Sequence, residues 1–322
     1  VSSSLLRTAA LGAAAALLVA GCAPTSGQGG GGDAISVVAS TNVYGDLAQT
    51  IGGDRVHVTA IVSKPTQDPH SYEATTQDRL AVSKARLVIE NGGGYDPFMD
   101  SLLADARPEA SSVLKAVEAS GLGGGAGGSG EAAPSSAAAS ASAHAGHAHA
   151  SNEHVWYDLH AMEAVVAAIA ERLGALEPSS AADFTERAAA VVKRLEAAEG
   201  TLAAIRQAHP GKAAVLTEPV PSYLLEDAGL KDATPPGFLE AVEEEQDVPP
   251  AVLKSTLDLL AARGVAVLAY NPQTESPQTK QVRAAAEAAG VPVVEFTETL
   301  PQGTDYAGWM QGNADALAKA LG

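Results

Sequence analysis

The segment SAADFTERAAAVVKRLEAAEGTLAAIRQAHPG, residues 180–211, organises the whole chain. It opens on Ser180-Ala181-Ala182-Asp183, a composition suited to a helix start, and meets no proline until His209-Pro210-Gly211. A helix over 181–208 runs roughly 40 Å at 1.5 Å per residue, enough to cross an entire domain. The sequence on its two sides follows one pattern. Before it, short β-branched runs at 35–39, 56–62 and 86–90 alternate with helical stretches at 43–51 and 75–84. After it, strands are expected at 213–216, 265–269 and 292–296, with helices at 252–263, 277–289 and 306–321. Such alternation implies parallel sheets covered by helices. The expected fold is therefore α/β with two lobes, each a parallel sheet flanked by helices, joined by one long backbone helix. A shorter helix should precede the long one. Asp158 can cap it, Met162, Val165, Val166, Ile169 and Leu173 form its apolar stripe, and Gly174 is expected to end it.

The lobes are expected at 34–158 and 210–322, with connecting helices over 159–209. Composition breaks sharply inside the first lobe. From about 119 to 153 the chain is mainly Gly, Ala and Ser, too poor in apolar side chains to offset the entropy of ordering, so a disordered loop is expected there. It carries His144, His147 and His149, whose spacing in such a background suits transient metal capture.

Residues 1–21 read as an export signal. Arg7 is the only charge, the Ala/Leu run over 9–20 is too short for a typical spanning helix, and Val19-Ala20-Gly21 precede Cys22. This pattern suits a bacterial lipoprotein signal, with Cys22 lipidated, residues 22–33 a flexible tether, and the protein held on the extracytoplasmic face of the membrane. Cys22 is also the sole cysteine, which excludes a disulfide within the chain and a cysteine-based zinc site. A formal net charge of −18 argues against nucleic acid and anionic headgroups as partners and suits a protein that attracts cations.

Four positions carry the chemistry. His70 lies in Asp68-Pro69-His70-Ser71-Tyr72-Glu73, just beyond the second strand, where Pro69 biases Asp68 toward an extended backbone. That end of an open α/β sheet is where ligands bind. His154 stands where ordered sequence resumes, beside Trp156, which is placed to exclude water. Glu218 follows the strand at 213–216, and Glu298 follows the strand at 292–296. All eight histidines lie at or before His209, so a metal held between the lobes must take oxygen ligands from the second. Two imidazoles and two carboxylates form a mixed site suited to zinc or manganese. His57, His160 and His209 have simpler structural readings, and Glu243-Glu244-Glu245 reads as a solvated face.

At these residues the chain resembles the zinc/manganese substrate-binding proteins of ABC importers, the cluster A-I family. The resemblance covers roughly 35–321. It rests on Asp68-Pro69-His70-Ser71-Tyr72-Glu73, His154-Val155-Trp156-Tyr157-Asp158, Thr217-Glu218-Pro219 with Tyr223, and Phe296-Thr297-Glu298, in that order, together with the His-rich insertion and the long helix. It implies a metal buried between the lobes, with His70, His154, Glu218 and Glu298 as ligands. Zn2+ is the expected transported ion and Mn2+ the alternative, because Glu218 and Glu298 occupy positions that are often His and usually Asp in the family. It further implies a permease and its ATPase as partners, a monomeric binding protein anchored through Cys22, and no enzyme activity. A secreted zinc hydrolase or a metal-buffering surface adhesin is the rival of another class. The hydrolase lacks any His-Glu-x-x-His or Gly-x-Ser-x-Gly pattern in this chain.

Overall fold

A computed structural model describes residues 34–122 and 152–322. The signal segment, the tether, Cys22, His144, His147 and His149 lie outside the described residues. The first lobe runs β1 (Ile35–Thr41), α1 (Asn42–Gly52), β2 (Val56–Val62), α2 (Thr76–Lys84), β3 (Leu87–Glu90), α3 (Pro97–Ala106), β4 (Val113–Lys115) and α4 (Ala116–Ala119). Two connecting helices follow, α5 (Leu159–Leu176) and α6 (Ala181–Ala208). The second lobe runs β5 (Ala213–Leu216), α7 (Ser222–Asp227), β6 (Lys231–Asp232), α8 (Phe238–Glu243), α9 (Pro250–Ala261), β7 (Val267–Tyr270), α10 (Pro277–Ala289), β8 (Val293–Glu295) and α11 (Tyr306–Leu321).

The two sheets share one topology. Their strand orders are β2-β1-β3-β4 and β6-β5-β7-β8, every pair parallel. Of the central strands, β3 (Leu87-Val88-Ile89-Glu90) and β7 (Val267-Leu268-Ala269-Tyr270) are buried from end to end, which requires cover on both faces. In each sheet the chain leaves its first strand toward one edge and returns on the other side. The crevice at that switch, beyond the carboxyl ends of the strands, is where such sheets hold ligands.

The long helix α6 buries Phe184, Ala188, Val191, Leu195, Ala198, Leu202 and Ile205, alternating steps of four and three that keep one seam facing inward. That seam packs on α5, α11, α1 and α7. A single apolar cluster therefore runs from Leu47 of the first lobe through Leu195 to Leu216 and Trp309 of the second. Polar clasps add to it. Asn42 exchanges two hydrogen bonds with the backbone of Leu300 (2.8 and 2.9 Å), the Tyr306 amide donates to Asp46 (2.8 Å), and Arg194 grips Asp305 with both terminal nitrogens (2.6 and 2.7 Å). A shared core of this kind limits motion between the lobes.

Two expectations need correction. Gly174 does not end α5, which continues to Leu176 and stops before Pro178. A Cβ at Gly174 would sit 3.1 Å from that of Ala181, so this glycine allows close approach at the turn into α6. The disordered loop expected over about 119–153 also takes in residues at both ends that are ordered. Ala119 closes α4, and Asn152 and Glu153 are hydrogen-bonded into the crevice.

Candidate metal centre

His70 is placed by the loop between β2 and α2. The Asp68 carboxylate accepts from the His70 amide (2.9 Å) and from the Ser71 hydroxyl (2.8 Å), which pins the turn after Pro69. Thr75 and Asp78 form a capping box that starts α2 and closes the loop. The His70 ring is half-buried, and Nε2 lies 3.8 Å from Glu298 Oε2 while Nδ1 lies 3.4 Å from Glu153 Oε1. His154 is only 1% exposed. Asn152 Oδ1 sits 2.7 Å from its Nδ1. Tyr95 walls both rings and Trp156 walls the second: Tyr95 stands edge-on to His70 at 4.9 Å and to His154 at 5.5 Å, and Trp156 lies 5.2 Å from His154. The aromatic exclusion of water expected of Trp156 is thus shared with Tyr95.

From the other lobe come the strand-end acids. Glu298 is 2% exposed, and its amide donates to Gln273 Oε1 (2.6 Å). Its Oε1 accepts from Asn271 Nδ2 (2.8 Å), and its Oε2 from the Tyr95 hydroxyl (3.3 Å). Glu218 is also buried and accepts from the same Asn271 nitrogen. Ligand atoms of His70, His154 and Glu298 all lie within 4.8 Å of one another. Glu218 stands one amide away, joined to Glu298 through Asn271.

The electrostatics describe a site short of positive charge. Burial pushes the Glu298 carboxyl well above the usual carboxylate range, and the nearby Glu218 pushes it further. Burial also raises Glu218, against the hydrogen bond from Asn271. Burial lowers His70, and it drives His154 down to about 3, helped by His70. Both rings are therefore neutral lone-pair donors at neutral pH. Two buried acids beside two neutral imidazoles reach neutrality with one divalent cation, so the donor set fits such an ion.

Several contributors were not anticipated. Glu153, raised to about 7 by burial and by Glu243, faces His70. Glu243 is not part of a solvated face: it is half-buried and its charge reaches both Glu153 and Glu218, whereas Glu244 and Glu245 are exposed. Asn271 lies immediately beyond β7, the same strand-end position that singled out Glu218 and Glu298, but an amide carries no charge to draw notice. A second group, His160, Glu163 and Glu199, lies on the α5–α6 hairpin with the His160 side chain 86% exposed.

Residues 37–320 match the family model described as zinc-uptake complex component A, periplasmic, or ZnuA. The chain belongs to the ZnuA family. Other ZnuA-like proteins differ in the metal they are named for. The manganese-binding lipoprotein MntA of Halalkalibacterium halodurans is 35% identical over 106 residues, which is 33% of this chain and 33% of that one. The match thus spans about a third of that relative's length. The iron-binding protein YfeA of Yersinia pestis is 23% identical over 292 residues, covering 89% of this chain and 86% of its own. The periplasmic zinc-binding protein TroA of Treponema pallidum superposes with a TM-score of 0.68 at 22% identity, over 88% of this chain and 98% of TroA, and shares the two-lobed ZnuA fold.

Proposed function

We propose that this chain captures a divalent transition metal outside the cytoplasm and delivers it to the permease and ATPase of an ABC importer. His70, His154 and Glu298 grip the ion, and Glu218 joins them as the fourth ligand. The observation that carries this reading is the meeting of two neutral imidazoles from one lobe with a buried carboxylate from the other, within 4.8 Å. Four protein ligands close the coordination sphere, which suits holding an ion and leaves no open position for catalysis. Membership of the ZnuA family supports the transport role. Anchorage through Cys22 and a monomeric state complete the proposal. No helix among the described residues is long and apolar enough to cross a membrane.

Zinc is the preferred cargo and manganese the alternative. Neutral imidazoles and a walled, four-ligand cavity suit tetrahedral zinc, whereas manganese accepts more oxygen-rich, higher-coordinate sites. Titrating the metal-free full chain with zinc, then with manganese in competition, should give one tight site per chain and displacement of manganese by zinc. Binding of neither ion with a one-to-one stoichiometry would remove the proposal; tighter manganese would reverse the choice of cargo.

A further inference from the structure

We infer that Asn152 is a positioning residue that fixes the tautomer of His154 and ties this imidazole to the Glu218 segment of the opposite lobe, an inference that rests on His154 being a metal ligand as proposed above. The physical basis is the amide itself. An asparagine side chain has one accepting oxygen and one donating nitrogen, and its neighbours decide which atom faces which way. At Asn152 two backbone groups of opposite kind decide it. The side-chain oxygen accepts from the His154 amide (3.1 Å), and the nitrogen donates to the Pro219 carbonyl (3.0 Å). Reversing the amide would set donor against donor at one end and acceptor against acceptor at the other. The oxygen is therefore the atom 2.7 Å from His154 Nδ1. Since that oxygen only accepts, a neutral His154 carries its proton on Nδ1, and Nε2 keeps the lone pair that can bind a metal.

The same residue spans the crevice. Pro219 directly follows Glu218, and the Asn152 carbonyl accepts from the Tyr223 hydroxyl of α7 (2.8 Å). Asn152 thus sets the spacing between a first-lobe imidazole and a second-lobe carboxylate while it orients the imidazole. His70 has a looser counterpart, with Glu153 Oε1 3.4 Å from Nδ1 and Glu298 on the Nε2 side. Partners that orient metal-binding imidazoles in this way contribute about 10–100-fold in affinity.

Nitrogen-15 NMR of the metal-free full chain with labelled histidine, assigned against His154→Gln, should show His154 protonated on Nδ1 alone. The opposite tautomer overturns the inference without any Asn152 variant. In Asn152→Ala the His154 signal should split between tautomers, and zinc affinity should fall about 10–100-fold. Asn152→Asp keeps an accepting oxygen for Nδ1 and loses the donor to Pro219. It should retain the wild-type tautomer and bind zinc more tightly than Asn152→Ala. An unchanged tautomer or an unchanged affinity in Asn152→Ala overturns the inference. If the wild-type chain itself takes up no zinc, the ligand assignment fails instead, and the tautomer is still read from the metal-free spectrum.

Discussion

Replacing His154 with Ala should lower zinc affinity by at least about 100-fold, more than the loss of an outer partner costs. Three observations set this size. The ring is 1% exposed, so no water stands ready to replace it. Its pKa, lowered to about 3 by burial, keeps the lone pair available across the physiological range. Its withdrawal leaves Glu298 and Glu218 to hold a buried cation with one imidazole, which is too little for a closed tetrahedral sphere. His160→Ala is the natural control, because that side chain is 86% exposed on the α5–α6 hairpin and belongs to a different group. Equilibrium titration against a zinc-buffering chelator would measure both variants. Equal affinity for His154→Ala and His160→Ala would remove His154 from the site.

The second large effect is on pH. In the metal-free protein Glu218 is raised from 4.5 to about 7 and Glu298 to about 8, burial being the main cause in each. The folded chain thus holds protons that the unfolded chain releases. The stability these acids contribute is fully present below the ordinary value of 4.5 and is lost as pH rises through the raised values. His154 acts in the opposite sense: its contribution is present above 6.5 and is lost as pH falls toward 3. A cation must displace the protons on the acids, so binding releases protons and tightens as pH rises. From pH 8 to pH 6 apparent zinc affinity should fall by about 100–1,000-fold, and the thermal stabilisation given by zinc should shrink with it. Calorimetry in buffers of different ionisation enthalpy reads the released protons directly. Glu218→Gln should reduce that release and flatten the profile. A profile flat across this window in the wild-type chain would contradict buried, protonated ligands.

Much of the architecture is legible in the residues because the physics is local. The helix over 181–208 shows in its composition, its apolar seam and its stop at His209-Pro210-Gly211, and the central strands show as short apolar runs. Strands β4 and β6, with three and two residues, are too short to leave a pattern and form only because a neighbouring strand presents an edge. Gly174 misleads because a glycine that closes a helix and one that admits a neighbouring chain look alike in sequence. At the site, His70 and Glu298 follow from one rule, that chemistry gathers beyond strand ends, and His154 follows from its place where ordered sequence resumes; the structure brings those three together. Glu218 follows from the same rule but sits across the Asn271 amide. What escapes the sequence is the neutral and adjacent support. Asn152 and Glu153 merge with the Gly/Ala/Ser stretch before them, and Asn271 and Gln273 matter through hydrogen bonds that only the three-dimensional arrangement reveals.

Anomalous scattering at the zinc edge from crystals of the zinc-loaded full chain tests the central claim most directly. The account predicts one strong peak between the lobes, about 2.0–2.2 Å from an imidazole nitrogen of His70, an imidazole nitrogen of His154 and a carboxylate oxygen of Glu298. A zinc peak elsewhere, with those three groups free of metal, would contradict it.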